Sequence, residues 1–207
     1  SQVEIFKEIA EISGLISSYL NNEQPAKAFG IMEQSRARLL AEELSGSESE
    51  VHETTASTVQ SEMKDTSAIL VYANTDWKEI SHVVLTQNSI QGKEIPAQQA
   101  LQSILDGHGS AVETTLKNQR GIKLVKKQDK KQVQEQLTKK SSMEVVINYY
   151  RMLLKNPSQE NEKPLKEMGR ALHDLLIKPM RSHYQDKKEL IIIPDGILAF
   201  LPFETLI

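Results

Sequence analysis

Glu189-Leu190-Ile191-Ile192-Ile193, running directly into Pro194-Asp195-Gly196-Ile197-Leu198-Ala199-Phe200-Leu201-Pro202-Phe203-Glu204-Thr205-Leu206-Ile207, is the stretch whose reading decides the fold. After Glu189 the run is wholly apolar and rich in β-branched residues, with no polar face. Such a run predicts a central parallel strand covered on both sides, with Ile192 fully buried. Pro194-Asp195-Gly196 is turn chemistry. The residues after it remain apolar up to Ile207, which points to a fragment of a longer domain. It also leaves the 190–193 strand with an edge open to self-association or to a companion C-terminal fragment.

Working outward, two helices precede Pro179. Ser141-Ser142-Met143-Glu144 reads as a capping box ahead of Val146, Ile147, Tyr150 and Leu154. A second helix from about Lys163 carries Leu165, Met168, Leu172, Leu175 and Leu176. Further upstream, Pro96 opens a helix to Leu105, and Asp106-Gly107-His108-Gly109 is expected to end it. Ile69-Leu70-Val71-Tyr72 and Val83-Val84-Leu85 mark two strands joined through Asn74-Thr75-Asp76 as a hairpin, with a third short strand over 88–95.

At the start of the chain Ile5, Ile9, Ile12, Ile16 and Tyr19 share one helix face. Asn21-Asn22-Glu23-Gln24-Pro25 breaks that helix, and Pro25 suits the first turn of the next, over 26–44, with Phe29, Met32, Leu39 and Leu40 apolar. Together they predict an antiparallel helical hairpin. The Ser-, Thr- and Glu-rich stretch after it has only Val51, Val59 and Met63 as anchors and reads as a linker with one short helix.

Composition narrows the functional classes. With 25 Lys and Arg against 28 Asp and Glu, the net charge of −3 gives no general attraction to nucleic acid or to an anionic membrane. The absence of cysteine excludes a disulfide framework, a Cys zinc site and a thiol nucleophile within this chain. It fits a reducing, cytoplasmic setting. No apolar run approaches the roughly 20 residues of a membrane-spanning helix.

Two segments carry a resemblance. Residues 28–44, AFGIMEQSRARLLAEEL, resemble the last helix of a tetratricopeptide-repeat (TPR) array leading into a CHAT domain, the caspase-like domain associated with such repeats. Ile12, Leu15, Ile16, Tyr19, Ala28 and Met32 fall at the intervals of the 34-residue repeat. Ile16 stands where the repeat prefers Gly, and Ile12 where it prefers Trp. Residues 190–206, LIIIPDGILAFLPFETL, closely resemble the strand and hairpin segment of CHAT domains, preceded as there by a Leu-Ile-x-Pro helix end (Leu176-Ile177-Lys178-Pro179).

The resemblance implies a parallel sheet flanked by helices, and endopeptidase cleavage by a Cys/His dyad that lies downstream of the matching segment. The expected architecture is therefore α/β: a TPR-like helical hairpin over 1–46, a linker over 47–66, and the N-terminal part of a caspase-like sheet over 67–207, truncated before the catalytic segment. The implied function is non-catalytic, linking a TPR-type sensor region to a protease sheet. The alternative is a free-standing module, a repeat-like hairpin on an α/β platform, that binds a protein or peptide.

Candidate site residues are few. Asp195 and Glu204 flank the best-matching segment; turn and backbone hydrogen bonding accounts for both, and the functional alternative is that they shape a substrate groove at the end of the strand. His108-Gly109 matches the family's catalytic His-Gly in letters but follows a helix instead of a strand, so a helix-end role fits it better. His52-Glu53 begins a zincin-like motif, yet Ala56 occupies the second ligand position, and His173 and His183 lie too far apart for one helix face. No Gly-x-Ser-x-Gly elbow and no Gly-rich phosphate loop occurs. Between 120 and 140, eight basic residues stand against Asp129 and Glu135 with no aromatic interleaved, which reads as a solvated face. No cofactor or metal is expected.

Overall fold

The computed structural model describes residues 2–45, 54–73, 78–119 and 142–206; side chains at 2–9, 39–45, 109–119 and 142 lie outside that set. The Asn74-Thr75-Asp76 turn, the basic 120–140 stretch, His52 and the Ser141 cap fall outside it too. The chain is mixed α/β. Its order is α1 (Gln2–Asn21), α2 (Pro25–Ser45), α3 (Ala56–Glu62), β1 (Ser67–Ala73), β2 (Glu79–Thr86), β3 (Ser89–Pro96), α4 (Gln98–Gln119), α5 (Ser142–Lys155), α6 (Gln159–Leu176) and β4 (Glu189–Ile193). Short 3₁₀ turns flank β4 at Lys178–His183 and Gly196–Phe200, and another covers Phe203–Thr205.

The residues divide into two units, and the chain passes between them more than once. The first comprises Ser1–Asn74, Ile80–Ile95 and Met180–Asp195. It contains one sheet of order β3-β2-β1-β4, with β1 antiparallel to β2 and parallel to β4. β1, SAILVYA, is buried along its whole length because it has a strand on either side.

Among the described residues β4 ends the sheet, and the expected full burial of Ile192 in a central strand is corrected. Leu190 and Ile191 are exposed, and Ile192 and Ile193 only half-buried. An unbroken apolar run reports that both faces of a strand are apolar; it carries no information about whether a neighbour lies beyond it.

The helical hairpin of α1 and α2 is present and shares a core with the sheet. Ile16, Leu20, Ala28, Phe29 and Met32 pack in one cluster with Ile69, Val71, Val83 and Leu85. The α1–α2 turn follows a Schellman pattern: the Gln24 N–H donates to Tyr19 O at 2.8 Å and the Glu23 N–H to Leu20 O at 3.1 Å. Glu23 takes the left-handed position at φ 57° where glycine is usual. Close approach of this turn to the sheet depends on Gly92 of β3, since a Cβ there would stand 2.4 Å from the Leu20 Cδ2 and 3.0 Å from the Pro25 Cβ. Helix α3, capped by Thr55, adds Ala56, Val59 and Met63 to the same core. It is tied to the β2–β3 turn by Gln60, whose amide donates to Thr86 O at 2.8 Å and Ser89 O at 2.9 Å.

The second unit comprises Thr75–Glu79, Pro96–Pro179 and Gly196–Ile207. In it α4, α5 and α6 pack on one another. α5 is buried on nearly every side, at Met143, Val145, Val146, Ile147, Tyr149, Tyr150 and Leu153. α6 starts at Gln159, earlier than expected, because Ser158 caps it by accepting from the Asn161 N–H, and Pro164 is carried inside the helix. α4 likewise continues through Gly107 and Gly109 to Gln119. The expected stop at 106–109 is corrected, and His108 is a mid-helix residue.

Candidate functional site

Two of the residues singled out by sequence follow β4 in the chain, Asp195 in the first unit and Glu204 in the second. Among the described residues, β4 is paired on one side, to β1. The Lys188 and Glu189 N–H groups donate to Thr66 O at 2.8 and 3.2 Å, and the ladder then runs Ser67↔Glu189 to Val71↔Ile193. The Ser67 hydroxyl donates to the Glu189 carboxylate at 2.7 Å, anchoring the strand's start. Since side chains alternate along a strand, Leu190 and Ile191 emerge on opposite faces, and both are more than 40% exposed. Apolar exposure on both faces belongs to the edge itself, not to one poorly covered face.

Asp195 is half-buried just beyond the carboxyl end of β4, before Gly196, which takes φ 53° to turn the chain. Glu204 is exposed within the last 3₁₀ turn, in the second unit.

In that second unit, the 196–206 segment is fastened to α5. The Tyr150 hydroxyl donates to Thr205 O at 2.9 Å and lies 2.9 Å from the Thr205 hydroxyl. Gly169 of α6 leaves room for that ring, since a Cβ there would come within 3.2 Å of the Tyr150 hydroxyl. Leu198 and Leu201 are buried, whereas Phe200 is 57% exposed with the Arg151 guanidinium 5.5 Å from its ring centre. An exposed aromatic with a cation on its face is a pairing common at protein interfaces.

The histidines sort differently. His108 Nε2 lies 4.0 Å from a Glu167 carboxylate oxygen, with the Tyr149 ring 6.0 Å away, and Glu167 also faces Lys163 at 3.8 Å. His173 Nδ1 lies 3.5 Å from the carboxylate of its neighbour Asp174. Among the described residues, no three His, Cys, Asp or Glu side chains gather as metal ligands would. No helix among them is long and apolar enough to cross a membrane.

One titratable residue escaped the sequence reading. His82 is fully buried in β2, opposite Tyr72 of β1 in the ladder, with the two rings stacked 4.3 Å apart at 15°. Neither ring nitrogen has a hydrogen-bond partner among the described residues. Burial lowers its pKa to about 3, so the imidazole is neutral. The signal was present: Ile80 and Val84, two residues to either side, place His82 on an apolar face of a strand.

No family model, no curated protein and no solved structure matches the chain.

Proposed function

We propose that this chain is the non-catalytic N-terminal portion of a CHAT-type, caspase-like cysteine endopeptidase, joining a TPR-type sensor region to the protease sheet. The observation that carries this reading is β4: an apolar strand, parallel to β1, that ends the sheet among the described residues with Leu190 and Ile191 exposed. Apolar side chains exposed at a strand edge are surface that a further strand would cover, as the protease reading requires. Residues 190–206, on which the family resemblance rests, begin with this strand. The hairpin α1–α2 supports a linking role, because its buried face rests on β1 and β2, and β1 is the strand that holds β4. Asp195 follows the carboxyl end of β4, where α/β sheets place ligands, and remains a candidate for shaping a substrate groove there. The chain has no thiol, so the nucleophile comes from elsewhere.

A second reading is a free-standing module that binds a protein or peptide, favoured by Phe200 and Arg151, an exposed pair of interface-prone residues. The coding sequence beyond Ile207 separates the two. The protease reading expects one apolar strand closing on His-Gly and the next closing on Cys. A stop codon, or a continuation lacking both, overturns it in favour of the interaction module.

A further inference from the structure

We draw no further inference here: the strongest candidate, the buried stack of His82 on Tyr72 across β2 and β1, rests on the shifted pKa of one imidazole, and nothing among the described residues shows what it would bind or switch.

Discussion

His82 is a buried ring that the folded sheet holds in its neutral form. In the folded chain its pKa is lowered to about 3 by burial, against an ordinary value near 6.5 when unfolded. The sign follows from linkage: a folded state that refuses a proton is fully favoured above pH 6.5 and loses ground as pH falls toward 3, by up to about 1.4 kcal/mol per pH unit. Urea midpoints measured at pH 7, 5.5 and 4 should therefore fall steeply. His82→Phe keeps an aromatic ring against Tyr72 and should flatten the decline between pH 6 and 4. Equal slopes for the two proteins would mean that another group takes up the proton. Histidine is not a type that period-2 patterning counts as core, so its burial was legible only from its neighbours Ile80 and Val84. At Gly107 the opposite error arose: two glycines around His108 read as a stop, but punctuation is local, and a glycine costs a helix only about 1 kcal/mol relative to Ala.

Among the elements, the hairpin α1–α2, the antiparallel pair β1–β2 and the strand β3 were legible because periods of 3.6 and 2 are written directly in the side chains. Lateral order in a sheet is not written there. β1 and β4 are both apolar, yet among the described residues β1 is interior and β4 ends the sheet. The difference has an energetic consequence. Leu70→Ala, at a fully buried position, should cost about 2–5 kcal/mol, and Ile192→Ala, at a half-buried one, only about 1–2 kcal/mol. Comparable shifts in the two urea midpoints at low protein concentration would place β4 in the interior after all. The candidate groove was the least legible feature. Asp195 and Glu204 were chosen from a short matching segment, whereas their surroundings depend on residues distant in the chain.

For the whole molecule, the helical hairpin is the part most easily mistaken for an independent piece. Its apolar face closes on Ile69, Val71, Val83 and Leu85 of the sheet. The fragment 1–46 should accordingly be mostly unfolded, with a weak helical signal by circular dichroism and no cooperative melt, since short helices without tertiary packing are marginal in water. A sharp thermal transition in that fragment would establish the hairpin as self-sufficient. The pairing of β1 with β4 carries a further consequence, for the order of events during synthesis. The Ser67 hydroxyl and the Glu189 carboxylate that open this ladder are 122 residues apart. At the usual pace of translation, about 5–20 residues per second, β1 waits roughly 6–24 s for its partner to be made. Throughout that interval one flank of the most apolar strand in the sheet is bare on the nascent chain. Survival of the newborn protein then depends on whatever shields Ile69, Leu70 and Val71 until the ribosome has delivered Ile193.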